Sequence, residues 1–484
     1  MRKALKVATL MGLAAALIVP AAPSAKAADM DMGSTKVTIG GQLRERLEWY
    51  ASEAGSGTGD RLAGTYRARI KIKAQLSDGV TAVFVPQSVG IWGTANNGED
   101  GKYGVGLDND MSVGMHEAYM LLANPFGINN VIVKIGRQEV NLGNQRLVGS
   151  VGWSQAGRSL DGILVGYVAG DYGLAGFFYG KLNDNGKQDA WFRPAAEDLD
   201  GTDIDLYVAT WQGKFKPFGI GGTYELTDIY VNKRGVTFTT GDASDALDFR
   251  NVNTLYGRIT PVFNTDFAKV KVNLEGAIQG GDAGVDITGK DRDFSGYFFS
   301  VGAGADFANV NWTPGVFVGY DYYSGDSDDQ GDIDSFWSVL PTAHKWLGHA
   351  DIVWLGNVYK FNGAIASRSP GVKDLYLKLS AKPLAKVALG LDLHYFKTAE
   401  DYAVDSTTNT YGVKPAGFTG KTSDDIGWEA DFSVKYKYSK NLCLSLGWDH
   451  FDPDSDFAAA YINPDHSTKS DAEDHIWAQA DLKF

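Results

Sequence analysis

Residues 66–76 read Tyr66-Arg67-Ala68-Arg69-Ile70-Lys71-Ile72-Lys73-Ala74-Gln75-Leu76. Tyr66, Ala68, Ile70, Ile72, Ala74 and Leu76 share one parity, and Arg67, Arg69, Lys71, Lys73 and Gln75 share the other. Successive side chains of a β-strand point to opposite faces, so this stretch makes one apolar face and one cationic face. A helix would scatter the same charges around its circumference. The cationic face needs water and the apolar face needs to avoid it.

The alternation recurs along the chain. Ala268, Val270, Val272, Leu274, Gly276 and Ile278 interleave with Lys269, Lys271, Asn273, Glu275 and Gln279. Val387, Leu389, Leu391, Leu393 and Tyr395 interleave with Asp392 and His394, and Trp428 to Tyr436 with Glu429, Asp431, Lys435 and Lys437. The final run puts Ile476, Ala478, Ala480, Leu482 and Phe484 opposite Trp477, Gln479, Asp481 and Lys483. Short polar breaks (Ser77-Asp78-Gly79, Asn124 to Asn130, Ala169 to Asp171, Asn264 to Asp266, Lys382 to Ala385, Ser439 to Asn441) alternate with long polar stretches. The long ones are 92–111, 138–158, 184–200, 231–250, 280–292, 324–371, 398–426 and 452–474. Short periplasmic turns opposite long extracellular loops are the asymmetry of an outer-membrane barrel. The pattern predicts an all-β fold: a transmembrane antiparallel β-barrel of about 18 strands, an even number with both ends periplasmic. A soluble sandwich would also alternate; the loop rhythm and the features at the two ends favour the barrel.

The first 27 residues carry Arg2, Lys3, Lys6 and Lys26 and no acid, an apolar stretch from Val7 to Val19, and Ala25-Lys26-Ala27. That order predicts a signal peptide over 1–27, cleaved after about Ala27, and a single barrel domain over 28–484. No later run of about 18 apolar residues could form a spanning helix. The chain has a net charge of −14 with its cationic start included, so nucleic acid is excluded as a partner. Lone Cys443 excludes an internal disulfide. Strand one is expected at about Lys36, which leaves no room for an N-terminal plug domain. Constriction must come from loops and lumen side chains. The aromatic C-terminus, Phe484, resembles the terminal signature of outer-membrane barrels, which implies the barrel-assembly machinery as a partner beside outer-membrane lipid.

Motifs that suggest chemistry fail on spacing. His116-Glu117 begins like a zinc-protease helix, but Met120 stands where the second histidine is needed and the segment reads as a strand. Asp326 to Asp334 is similar to a calcium loop, but Gln330 and Trp337 occupy ligand positions. No nucleophile elbow or phosphate-binding glycine loop is present. The expectation is no enzyme, no cofactor and no metal. Tryptophans and tyrosines at strand ends are expected to form interfacial girdles.

One region is more specific. It runs Glu117-Ala118-Tyr119, Gly136-Arg137-Gln138-Glu139, Gly143-Asn144-Gln145-Arg146-Leu147-Val148-Gly149, then Trp153 and Gly157-Arg158-Ser159-Leu160-Asp161-Gly162. With Leu340-Pro341-Thr342-Ala343-His344-Lys345-Trp346-Leu347-Gly348 and Leu377 to Pro383, it resembles the alginate export family of outer-membrane channels. The resemblance implies an 18-stranded barrel with a constricted pore lined by Arg and Lys, passing the polyuronate alginate. The matching positions are Arg44, Arg46, Arg67, Arg69, Lys71, Lys134, Arg137, Arg146 and Arg158, with Glu117, Glu139 and Asp161 as carboxylates holding the guanidinium groups in place. Such a ring lowers the barrier for a carboxylate leaving water. Two readings stay open for each residue: selectivity, or bracing of an inward loop. Later strands place Asp203, Asp205, Glu275, Asp321, Asp374, Asp392, Glu429 and Asp431 on faces assigned to the lumen. That mixed charge keeps a general or small-solute porin open beside a channel for anionic or polar solutes, among them an anionic polysaccharide.

Overall fold

The computed structural model describes residues 28–32, 35–52, 61–92, 113–184, 203–216, 220–234, 249–285, 290–354, 357–358, 368–404, 413–462 and 472–484. The signal-peptide reading of 1–27 lies outside them. Among the described residues, 18 antiparallel strands close into a barrel. They are β1 (Thr35–Ser52), β2 (Arg61–Ser77), β3 (Val80–Ile91), β4 (Gly114–Ala123), β5 (Val131–Gln138), β6 (Leu160–Val168), β7 (Leu174–Asp184), β8 (Asp203–Phe215) and β9 (Gly221–Arg234). The rest are β10 (Asn251–Asn264), β11 (Lys269–Val285), β12 (Tyr297–Asp306), β13 (Gly315–Tyr323), β14 (Val372–Leu384), β15 (Val387–Ala403), β16 (Thr422–Lys437), β17 (Leu442–Pro453) and β18 (Glu473–Lys483). Each strand pairs with its sequence neighbour, and β1 closes the ring on β18 from Gln42↔Lys483 to Ser52↔Glu473. The Gly41 and Phe484 backbones exchange both hydrogen bonds at the seam. Closure leaves no sheet edge, the condition for backbone to cross a bilayer.

The alternation of 66–76 survives intact. Ala63, Thr65 and Arg67 are buried inward, while Leu62 and Ile70 are exposed on the outside. The same outer face carries Phe84, Met120, Ile163, Phe177, Leu226, Leu255, Ile278, Val318 and Leu375, all exposed. In water so much apolar surface would drive aggregation; in lipid it is the solvated face. Tyr179, Tyr207 and Tyr230 lie side by side on β7, β8 and β9 near the loop end. At the turn end, Trp211 and Tyr224 both donate to the Tyr172 carbonyl. Aromatic residues thus stand at both ends of these strands, where interfacial girdles are expected.

Three differences from the sequence reading concern the margins. Strands β9, β11 and β15 run on to Arg234, Val285 and Ala403, so their loops begin later than expected. Above the membrane both faces of a strand are polar, alternation fades, and only ladder hydrogen bonds continue the strand. A short connection at 307–314 also joins β12 to β13. Finally, Asp203 and Asp205 share the outer parity of Tyr207 and Trp211 at the loop-end rim, where Lys181 and Arg234 pair with them. They are not lumen residues; β8 alternates through Ile204, Leu206 and Val208 instead, with Leu206 and Val208 fully buried inside.

Candidate functional site

Two extracellular connections fold into the barrel. The shorter is 139–159, between β5 and β6; the longer lies between β13 and β14 and is described over 324–354, 357–358 and 368–371. They pair with each other inside the lumen. Val148 and Leu340 form a parallel bridge. Gly149 N donates to Leu340 O and Leu340 N to Leu147 O. Non-regular backbone at membrane depth must have its amides and carbonyls satisfied by protein or water. The lumen wall does this with two chemically opposite sides.

The β1–β2 side supplies donors. Arg44 and Arg67 are direct register partners, with Arg46 and Arg69 beside them. Bare guanidinium groups so placed would repel. Each instead reaches loop carbonyls. Arg44 donates to Gly152 O, Trp153 O and Ser154 O at 2.8, 3.0 and 2.7 Å, and to the Gln155 side chain. Arg46 donates to Trp153 O, Arg67 to Ser154 O, and Arg69 to Ala156 O. Five N–H donors in a planar fork suit this task. The Arg46 guanidinium also lies 3.5 Å over the Trp153 ring. Trp153 stacks on His344 at 4.1 Å, and His344 on His349 at 5.0 Å, so a column of rings joins the wall to both loops. Gly157, at φ 70°, passes so close to Arg69 that a Cβ would collide with the guanidinium. Val151 at the loop tip holds φ 50°, which costs a β-branched residue about 1–3 kcal/mol.

The β11–β17 side supplies acceptors. Arg146 leaves the shorter loop to meet Glu275 of β11 at 2.6 Å and Asp321 of β13 at 2.7 Å, and it donates to the Tyr323 hydroxyl. Its side chain is 1% exposed and lies 4.0 Å from the Trp346 ring. Burial alone would favour the neutral form, but Asp321 and Glu275 hold this guanidinium charged, well above its ordinary pKa. In the longer loop Ala350 N donates to Glu429 at 2.7 Å and His349 N to Asp431 at 3.2 Å. Arg158 binds the loops together through Gly149 O, Leu340 O and Pro341 O; with no carboxylate to offset burial, its pKa falls to about 10. Above this junction Val140, Leu147, Val148, Phe336, Val339 and Leu347 pack on Leu206, Ile229, Val231 and Val252 of the wall, an apolar core inside the barrel.

Below the loops a charged region stays open to the lumen. Lys71 has its side chain 52% exposed, with Glu117 3.8 Å away. Lys73 is exposed one step nearer the turn end, and Lys134 lies over the Tyr119 ring at 4.2 Å. Arg69 pairs with Glu139 at 3.2 Å. A bulge in β4 opposite Val85 and Pro86 turns both His116 and Glu117 inward. His116 meets Glu139 at 2.7 Å. Burial would raise the Glu139 carboxyl, but His116, Arg69 and Arg67 outweigh it and hold it below the ordinary glutamate range. Ser159 Oγ is 3.3 and 3.5 Å from the two nitrogens of His116, about equidistant from both. The contact ties the start of β6 to β4.

The structure thus gathers Arg44, Arg46, Arg67, Arg69, Lys71, Lys134, Arg146, Arg158, Glu117 and Glu139 in the lumen and separates two others. Arg137 and Asp161 pair through two hydrogen bonds on the outer face, sharing the parity of exposed Ile135 and Ile163. Replacing Arg137 by alanine is expected to leave conductance and ion selectivity unchanged in single-channel recordings. Sequence reading missed Asn144, Gln155, His116 and His349. Asn144 lies in the family motif and Gln155 between its segments, neither with a charge to mark it, and His349 gains its neighbours only through the tertiary fold.

The family model described as alginate export matches residues 35–462. The chain belongs to the alginate export family. No curated protein matches the sequence. Among solved structures it is similar to Pseudomonas aeruginosa OccK9 (OpdG), with TM-score 0.55 and 10% identity over 93% of this chain and 98% of that one. Acinetobacter baumannii OccAB4 gives 0.55 and 12% over 92% and 98%. Pseudomonas aeruginosa OccK2 (OpdF), solved in complex with glucuronate, gives 0.51 and 12% over 93% and 96%. At such identities the likeness shows the fold alone. Family and fold are those of transport channels of the outer membrane, and this chain is an outer-membrane β-barrel channel.

Proposed function

We propose that this alginate-export family channel passes anionic solutes passively, with uronates as the substrate class. The observation that carries the reading is the run of lumen cations Arg69, Lys71, Lys73 and Lys134 below the loop junction. The acidic residues that pointed to a mixed lumen have partners. Glu275 and Asp321 hold Arg146, Glu429 and Asp431 hold loop amides, Asp374 pairs with His394 at 2.8 Å, and Asp392 with Lys378 at 2.5 Å. Cations therefore dominate what a solute meets. A pore conducts when its sites attract a solute without trapping it, and Glu117 and Glu139 beside the cations moderate the attraction. The glucuronate bound by OccK2 is a uronate of the same chemistry as the alginate monomers.

The docked loops favour small solutes over a polymer, because a chain of sugars would have to displace them. A small-solute porin is therefore the second reading. Residues 1–27 act in this proposal as the export signal, and Phe484 presents the barrel to the assembly machinery. Recording single channels in a planar bilayer under a salt gradient tests the reading. Anion selectivity, with block by glucuronate or short oligouronates from one side, is expected. Weak selectivity and indifference to uronates would sink anion transport. Block by oligouronates alone, and not by glucuronate, would return weight to the polymer.

A further inference from the structure

Where the longer loop meets β16 and β17, four buried polar atoms are left without hydrogen-bond partners. They are His349 Nδ1, Glu429 Oε2, Asp431 Oδ1 and Asp449 Oδ1. His349 Nδ1 is 3.7 Å from Asp449 Oδ1, too far for a hydrogen bond. Ligand atoms of His349, Asp431 and Asp449 all lie within 4.8 Å of one another. Glu429, Asp431 and Asp449 are essentially without solvent exposure. The second oxygen of each carboxylate is already held. Ala350 N donates to Glu429, His349 N to Asp431, and His475 Nδ1 and Trp477 Nε1 to Asp449 at 2.9 and 3.2 Å. The free oxygens are thus oriented by contacts outside the cluster, as ligands in metal sites are.

Three buried carboxylates with unsatisfied oxygens need positive charge. Lys378 pairs with Asp392; His475 already sits on the other Asp449 oxygen, and among the described residues no ion pair reaches Glu429 or Asp431. His394 turns to Asp374. Gly348, at φ 83°, brings the loop against Glu429 so closely that a Cβ would collide with the carboxylate. The gap between loop and wall is therefore fixed from both sides.

We infer that His349, Asp431 and Asp449, with Glu429 as a further ligand, form a binding site for a divalent transition-metal ion of the zinc class. An imidazole nitrogen among carboxylate oxygens suits zinc and its neighbours; calcium and magnesium prefer oxygen alone. The ion would tie the long loop to the barrel wall and fix the position of the constriction. The site lies on β16 and β17, a few strands round the closed ring from β1 and β2, and does not depend on what the channel carries.

The test uses the full-length, tag-free protein in detergent, stripped with a chelator and dialysed. Zinc titration by calorimetry and cobalt absorption in the visible range are recorded for the wild type and for His349→Ala and Asp431→Asn. The expected result is one zinc per chain, a cobalt ligand-field band, and binding weakened at least about tenfold in each variant. Asp332→Asn in the acidic loop should bind like the wild type. The cobalt spectrum of the wild type keeps the test open if a variant does not fold. No stoichiometric zinc and no cobalt band would mean that a proton shared between Glu429 and Asp431 occupies the site, and the proposal fails. Equal binding by wild type and both variants, or calcium bound more tightly than zinc, would overturn it too.

Discussion

Replacing Arg146 by alanine is expected to open the channel. The substitution leaves Asp321 without its cation, and Glu275 with only the more distant Arg258 at 3.9 Å, in a region closed to water. Breaking a buried ion pair by removing one partner costs about 3–5 kcal/mol. Here that cost falls on the docked state of the 139–159 loop, because Arg146 is the loop's anchor to the far wall while Arg44, Arg46 and Arg67 hold the near side. Once the anchor is gone, the Val148–Leu340 bridge also loses support, and both loops leave the lumen more often. Single-channel conductance should rise several-fold, with frequent flicker, and added protease should cut within 139–159. A control separates charge from packing. Arg146→Met combined with Glu275→Gln and Asp321→Asn removes all the charges, as isosteric replacement of a buried triad can do without loss of stability. That variant should stay near wild-type conductance. If Arg146→Ala conducts like the wild type and its loop resists protease, Arg146 is not the anchor.

The second large effect concerns selectivity rather than gating. Lys71→Glu with Lys73→Glu turns the open cations of β2 into anions without touching any residue that holds a loop. The reversal potential in a salt gradient is expected to change sign, from anion to cation preference, with conductance of the same order as the wild type. Exposed charges act through screened fields, so the shift should shrink as salt rises. The two experiments divide the cationic residues by role: buried arginines brace, and exposed lysines select. A selectivity unchanged by the lysine reversals, together with one altered by Arg44→Ala, would invert that division.

Bracing against selectivity could not be decided in the sequence because both roles demand the same residue types. An arginine on a lumen-facing parity reads identically whether it meets a solute or a loop carbonyl. Only the tertiary structure brings Ser154 and Gln155 to Arg67, residues 87 and 88 positions apart along the chain. The same holds for the zinc-class cluster, whose members come from a loop and two strands. The misplacement of Arg137, Asp161, Asp203 and Asp205 has a different cause. At the loop-end rim both faces of a strand meet water, so charge no longer marks the inner face.

What the sequence determined by itself is the barrel. Period-two alternation, repeated from 66–76 to the final strand, leaves an apolar outer face and a polar inner one, and only closure satisfies the backbone in lipid. These are local rules, read two residues at a time. What only the tertiary structure decided is the pore. Whether the 139–159 and 324–371 loops stand in water or fill the lumen depends on guanidinium groups meeting carbonyls and carboxylates meeting amides across the width of the barrel. Those pairings are distant in sequence and carry no local signal, so the channel's interior had to be folded before it could be read.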